Sequence, residues 1–431
     1  MASPARLIRT LVLGNSETQM RSTLTWSAET RNQATKRPQG DDSHELKRNR
    51  MPSTSALHST VSRFIAAAVT IGTLIVFPAA AQANPSISGS TSGPDGLIWM
   101  PNYGANSVVA FDPDTLDQVK TIPSVGDHPL VIKMLPDQSR MFVGNFGPLS
   151  WNVSVIDMNT ESVIARIPTL GPAYAVSILS HDSRFLYVPT AASVVHVIDT
   201  QSLQIVRTLP IALPPSPAHI ELSPDDSTLY AFSSAGTVTK YDAYSGAILA
   251  PPLYLGGFFP GWGAVSADGN TIYAVNFISG LTTIDARTWQ VTRVLQLPIA
   301  AGPLSATLSP DGKHIWVCNY FDNEIVVLDT GTGERLDTIS TDQAPVYVGF
   351  SSDGGTAYVS FVDGSSGVLG QSQAPFIPGV DQLVEAYGET NAYAAAILGL
   401  DTSLVAYDTS TGKPTNSTTL KGALVAGVYP G

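Results

Sequence analysis

The sequence holds one cysteine, Cys318, in 431 residues. That count excludes an intramolecular disulfide and a thiolate metal cluster. The position of Cys318 in the apolar run Ile315-Trp316-Val317-Cys318 reads as a small core residue rather than a nucleophile. Charge is sparse, at 13% of residues, and basic residues are sparser still: 23 Lys and Arg against 35 Asp and Glu. From Asn84 onward 13 basic residues face 30 acidic ones, a net of −17. A body that acidic repels phosphate backbones and anionic headgroups, so nucleic acid is not an expected partner. No D-x-D-x-D-G loop is present, which leaves a calcium site without support. No G-x-S-x-G elbow and no CxxC or haem motif occurs either, and no metal or cofactor is expected. Long helical periodicities are scarce.

What the sequence has in quantity is apolar residues (43%), Gly (36) and Pro (31). Together they indicate a large core built from many short strands joined by tight turns. The first 83 residues stand apart. Arg63 precedes an apolar stretch from Phe64 to Ala81, which ends in Ala81-Gln82-Ala83 before Asn84-Pro85. Basic flank, apolar run and small-x-small site in that order predict a secretory signal peptide over residues 51–83, with mature protein from Asn84. A membrane anchor is the competing reading, since about 18 apolar residues just span a bilayer. Pro78 and the small residues near the end favour cleavage, and no integral span is then expected in the mature chain. Residues 1–50 are polar, charged and non-periodic. They are read as a non-native or disordered extension, with Met51 the expected start.

From Asp95 a tight polar turn recurs: Pro94-Asp95-Gly96, Pro136-Asp137, His181-Asp182, Pro224-Asp225, Ala267-Asp268-Gly269, Pro310-Asp311-Gly312 and Ser352-Asp353-Gly354. The steps between these aspartates are 42, 45, 43, 43, 43 and 42. A second aspartate closes a later strand of each unit, at Asp112, Asp157, Asp199, Asp242, Asp285, Asp329 and Asp408. Two markers keep one period over seven units. In the sixth unit the strands read Pro303–Leu308, His314–Asn319, Ile325–Asp329 and Arg335–Ser340. Four antiparallel strands in each unit of about 40–45 residues is the radial solution to the edge-strand problem, a β-propeller. The predicted fold is therefore all-β, with seven four-stranded blades over residues 84–431. Pro85–Gly93 is rich in Ser and Gly and offers no inner strand for the first blade. Gly422–Gly431 resembles one, so a C-terminal strand is expected to close the ring beside Leu97–Pro101.

The stretch SPDGKHIWVCNYFDNEIVVLDTGTGERLDTI at 309–339 resembles the YVTN-type β-propeller repeat. Its namesake tetrapeptide is echoed by Trp316-Val317-Cys318-Asn319, Phe142-Val143-Gly144-Asn145 and Tyr273-Ala274-Val275-Asn276. The resemblance covers roughly residues 91–431. It implies the propeller fold and leaves function open, since such proteins include envelope and surface proteins, binding proteins and relatives of lactonases and dehydrogenase subunits.

In a propeller, the loops entering the inner strands share one face with the loops between second and third strands. Six residues before each turn aspartate stand Val131, Val176, His219, Trp262, Ser305 and Tyr347; two residues later stand Lys133, Ile178, Glu221, Ala264, Thr307 and Gly349. With His128, which precedes its inner strand, the candidate ligand site is His128, Lys133, His219, Glu221, Trp262 and Tyr347. The alternative is a water-filled channel whose polar lining is structural. The recurrent Asn102, Asn145, Asn276 and Asn319 read as turn residues bonding nearby backbone, and the repeated aspartates as turn caps. One unit breaks the pattern. Asp353 and Asp408 are 55 apart where the other intervals are 17 to 20, which places an insertion at about 364–400 in blade seven. An insertion of that length in a compact repeat is usually functional or disordered.

These features point to a secreted or cell-envelope protein that binds a small ligand or a protein partner at the channel mouth, without catalysis. Two alternatives stand beside it. One is a lactonase-like or other hydrolase using His219, Glu221, His128 and Lys133. The other is a subunit of an envelope redox complex.

Overall fold

The computed structural model describes residues 96–422 and Gly427, except 148–150, 174–176, 191, 212–216, 234–235, 256–261, 277–279, 296, 298–302, 321 and 363–400. The chain divides into two compact units, Met1–Ile75 and Val76–Gly431, and every described residue belongs to the second. The expected signal peptide and the extension before it lie outside the described residues.

Seven antiparallel sheets follow one another along the chain. Blade one shows three strands, Ile98–Asn102, Ser107–Phe111 and Gln118–Ile122, and the six later blades show four each. Their inner strands are Pro129–Met134, Ile178–Leu179, Pro217–Leu222, Trp262–Val265, Pro303–Leu308 and Ala344–Phe350. This is the seven-bladed β-propeller the repeat predicts.

The turns explain why the sequence folds in this rhythm. In the sixth blade Ser309 Oγ donates to Asp311 Oδ1 at 2.6 Å, Lys313 N donates to the same oxygen at 3.0 Å, and Gly312 takes φ 68°. Blades three, four, five and seven repeat the frame with Ser180–Asp182, Ser223–Asp225, Ser266–Asp268 and Ser351–Asp353. The second aspartate series caps the turn between third and fourth strands. Asp329 Oδ1 accepts from Thr332 N at 2.6 Å, and Asp285 Oδ1 accepts from Thr288 N at 2.7 Å. Each carboxylate thus replaces a missing backbone partner where the chain reverses.

Ring closure falls where the first blade lacks its inner strand. Asn102 Nδ2 donates to Lys421 O at 3.2 Å, and Asn416 Nδ2 donates to Asp114 O at 2.9 Å. Gly427 lies so close to blade one that a Cβ there would collide with the Trp99 carbonyl oxygen. Residues 423–426 and 428–431 lie outside the described residues. One core cluster also runs across the closure, joining Ile98, Met100 and Phe111 of blade one to Tyr347, Tyr358 and Leu404 of blade seven.

Candidate functional site

The proline that opens an inner strand shapes the residues beyond it. In blades two, four, six and seven the pairing of first and second strands slips by one residue, between Pro129 and Val131, Pro217 and His219, Pro303 and Ser305, and Pro345 and Tyr347. Proline has no N–H to give the ladder, and a bulge there re-aims its successor. Past the bulge the register is regular. Lys133, Ile178, Glu221, Ala264, Thr307 and Gly349 lie opposite Phe142, Tyr187, Tyr230, Tyr273, Trp316 and Tyr358, an aromatic in each of blades two to seven. The six residues therefore occupy one level of the ring, and blades two, four and six supply its polar members.

At that level Lys133 and Glu221 come within electrostatic reach of each other, although a whole blade separates them in sequence. Glu221 Oε1 accepts a hydrogen bond from His219 Nε2 at 2.8 Å. The two side chains are 1% and 0% exposed. The imidazole also meets Phe232 edge-on, with ring centroids 5.2 Å apart. Glu221 Oε2 and Thr307 Oγ1 are buried and have no hydrogen-bond partner among the described residues. Burial raises the Glu221 carboxyl, opposed by the bond from His219 and the charge of Lys133. Burial likewise lowers the Lys133 amine to about 8, opposed by Glu221. Lys133 still keeps part of its surface in solvent, so its desolvation comes from the walls around it rather than from sealing. Burial thus moves the two groups in opposite directions, the amine down and the carboxyl up, and the charge of each opposes the shift of the other.

His128 belongs to a different place. It stands before Pro129, five residues along the strand from Lys133, or roughly 16 Å in extended chain. Its Nδ1 lies 2.7 Å from Asp127 Oδ1, and its ring centroid lies 4.5 Å from that of Tyr103. The backbone holds it at φ 56°, with its N–H on Asn106 Oδ1 and its carbonyl on Phe146 N. The Asp127 carboxyl lies against Gly147, where a Cβ would collide with it. Burial, then the nearby Asp127 charge, raises the Tyr103 phenol above its ordinary range.

Of the six sequence candidates, the structure joins Lys133, His219 and Glu221 and sets His128 apart with Asp127 and Tyr103. Tyr347 is wholly buried in the core cluster that also holds Val131, and the Trp262 side chain lies outside the described residues. Sequence reasoning missed Tyr103, Asp127 and Thr307 as partners. Asp127-His128 did leave a trace, because the same two repeat positions hold Pro172-Ala173, Pro215-Ser216, Phe258-Phe259, Ala301-Gly302 and Gln343-Ala344 elsewhere. The insertion at 364–400 also lies outside the described residues. The strands it joins, Thr356–Val362 and Asp401–Asp408, meet it at the face where the inner strands begin, since Val362 pairs with both Ala344 and Thr402. Cys318 is buried, and its thiol is pushed up to about 12 by that burial. Among the described residues no cluster of three His, Cys, Asp or Glu could hold a metal, and no helix is long and apolar enough to cross a membrane.

No protein-family model matches the chain, and no curated protein matches it. Among solved structures it is similar to hydrazine synthase from Kuenenia stuttgartiensis, at 19% identity and a TM-score of 0.54, over 66% of this chain and 92% of that one. At that identity the likeness is one of fold: both chains are built as propellers.

Proposed function

We propose that the chain is an exported propeller of the YVTN type that binds a small polar ligand on the axis of its ring, at Lys133, His219 and Glu221. One observation carries this reading: the second carboxylate oxygen of Glu221 is buried with no hydrogen-bond partner among the described residues. A buried acceptor left unpaired costs about 1–3 kcal/mol, more when it is charged. Such a group is explained when an outside donor completes it. Thr307 Oγ1, also unpaired and on the same level, offers a second contact. Lys133, on the same level, is itself partly exposed. The ligand that fits carries hydroxyl or similar donors for Glu221 and an acceptor for Lys133, in a wall otherwise made of Ile178, Ala264 and Gly349.

The separation of His128 from this group supports binding over the hydrolase reading, which draws on all four residues at once. Secreted protein purified from its own host, denatured and analysed by mass spectrometry for released small molecules, tests the proposal. The expected result is a stoichiometric compound that falls at least about tenfold in Glu221→Gln at unchanged melting temperature. Release unchanged by that substitution overturns it. N-terminal sequencing of the same material is expected to begin at Asn84.

A further inference from the structure

We propose that the turn face carries a second ligand site, a cavity between blades two and three that takes a short zwitterionic peptide, its carboxylate on Arg140 and Arg184 and its ammonium on the turn aspartates. The site is independent of the one on the ring axis. Its volume is about 590 Å³, and its walls are the first turns of both blades, Asp157, Thr200 and Gln201. Small-molecule sites usually span roughly 300–1,000 Å³. Two positions of the repeat set this seam apart. The second and third residues after the turn aspartate are Leu97-Ile98, Ser139-Arg140, Arg184-Phe185, Ser227-Thr228, Asn270-Thr271, Lys313-His314 and Gly355-Thr356. Arginine stands there in blades two and three and in no other blade, and both arginines line this one cavity.

Each guanidinium is already held in place. Arg140 Nη1 donates across the seam to Thr200 O at 2.7 Å. Arg184 Nε donates to Asp199 Oδ2 at 2.6 Å, and its Nη2 lies 2.6 Å from the same oxygen. A guanidinium has five N–H donors, so both arginines have more to offer, and a tethered side chain loses little freedom on binding. Arg184 is 45% exposed, so its remaining donors meet solvent. The aspartates leave the matching remainder. Asp137 Oδ1 accepts from Ser139 Oγ at 2.7 Å, Asp182 Oδ1 from Ser180 Oγ at 2.7 Å, and Asp157 Oδ1 from Thr160 N at 3.0 Å. In all three the turn is capped through Oδ1, and Oδ2 makes no hydrogen bond among the described residues. Bonds from Ser139 and Ser180 hold the Asp137 and Asp182 carboxyls below their usual range, so both are charged at neutral pH.

The mixture of signs selects the ligand. A plain anion gains two guanidiniums, one of them already matched by Asp199, and meets three carboxylates. A plain cation gains the carboxylates and meets both arginines. Among the described residues no three carboxylates are grouped closely enough to hold a metal ion. A molecule with one separated charge of each sign satisfies both sets, and Leu135 and Pro136 add an apolar patch for a side chain. At about 30 Å³ each, roughly twenty waters fill the cavity, more than one free amino acid displaces, so a dipeptide suits its volume better.

The probe is the dipeptide glycyl-leucine, titrated by calorimetry into the full mature protein at neutral pH, beside its N-acetyl and C-terminal amide forms. Glycyl-leucine is expected to bind saturably, and each blocked form at least about tenfold more weakly, since each loses one charge-assisted contact. Arg140→Gln and Asp182→Asn are each expected to weaken the unblocked dipeptide by about tenfold at unchanged melting temperature. Absence of saturable binding up to about 10 mM overturns the proposal, because a site with a Kd near 1 mM is largely filled there. Equal binding of all three forms overturns it as well, and neither readout needs a variant to fold. Binding that survives Arg140→Gln and is lost in Glu221→Gln puts the peptide on the ring axis and overturns the turn-face site.

Discussion

The turn face and the ring interior of this propeller use the same repeat in opposite ways. At the turns, blade after blade presents an aspartate whose oxygen accepts two residues on, usually with a serine two residues before it. At the interior level four residues before that aspartate, the second-strand partner is always aromatic, yet the inner residue itself runs Lys, Ile, Glu, Ala, Thr, Gly. The turn residues answer a local need that every blade shares, the capping of a reversing chain. The interior residues meet no shared local need, and three of them carry polarity into a place that disfavours it. Repetition marks what builds the ring, and departure from it marks what the ring holds.

Four experiments press on this contrast, and the largest effect belongs to neither face but to the seam that keeps both in register. Ending the chain at Lys421 removes Gly422, which lies against the Asn102 side chain, and Gly427, which lies against the Trp99 carbonyl. Calorimetry is expected to show a loss of several kcal/mol and a broadened transition. Gly427→Ala, which drives a Cβ against the Trp99 carbonyl, is a milder form of the same lesion. Next, Glu221→Leu strands Lys133 and His219 without their carboxylate and is expected to cost about 3 kcal/mol in urea unfolding. Adding Lys133→Met should recover much of that loss, because an apolar interior tolerates the absence of both charges better than the presence of one. If the double variant is no more stable than the single, the two groups are not coupled.

A pH series sharpens the same point. The folded Lys133 amine sits at about 8, below its ordinary 10.5, so between those values the unfolded chain holds a proton that the fold has released. Stability contributed by this group therefore rises as pH rises through that window, by a few degrees of melting temperature at most, and Lys133→Met is expected to flatten the rise. The smallest effect is at the turns. Asp268→Ala removes bonds to Ser266 and Asn270 at an exposed site and is expected to cost a few tenths to about 1 kcal/mol. Those bonds, that from Ser266 foremost, also hold the Asp268 carboxyl below its ordinary value, so its contribution is present above the usual carboxylate range and disappears as pH falls. The variant should lose less stability than wild type on acidification.

Much of the fold was readable because its signals are local. Three of the four strands expected in the sixth unit have the observed limits, and the third begins one residue early, at Glu324. Glu324 is drawn into the ladder opposite Ser340, and its carboxylate accepts from Asn319 Nδ2 at 2.8 Å. The asparagines that end second strands were expected to bond nearby backbone. Asn102 does, accepting from Ala105 N, whereas Asn145 and Asn319 reach across their loops to side chains, Asn152, Ser154 and Glu324. The site was legible only in part, for a reason of geometry. Counting back from the turn places Lys133 and Glu221 on one level, but five residues of extended strand carry His128 out of it. Tyr103, which packs on His128, comes from another blade, and no period relates the two.

The bond between Asn102 and Lys421 spans 319 positions of chain. Blade one is therefore made first and finished last: its contacts with Lys421, Gly422 and Gly427 wait until those residues have been synthesised and brought home. Pairing over so long a separation is slow, since the loop must close before the contact rewards it. Until that moment the nascent molecule is an arc with two raw ends, able to pair with another arc as readily as with itself. The last stitch thus acts as a checkpoint on assembly, and a substitution at Gly427 should be felt in the yield of monomer before it is felt in anything the finished ring does.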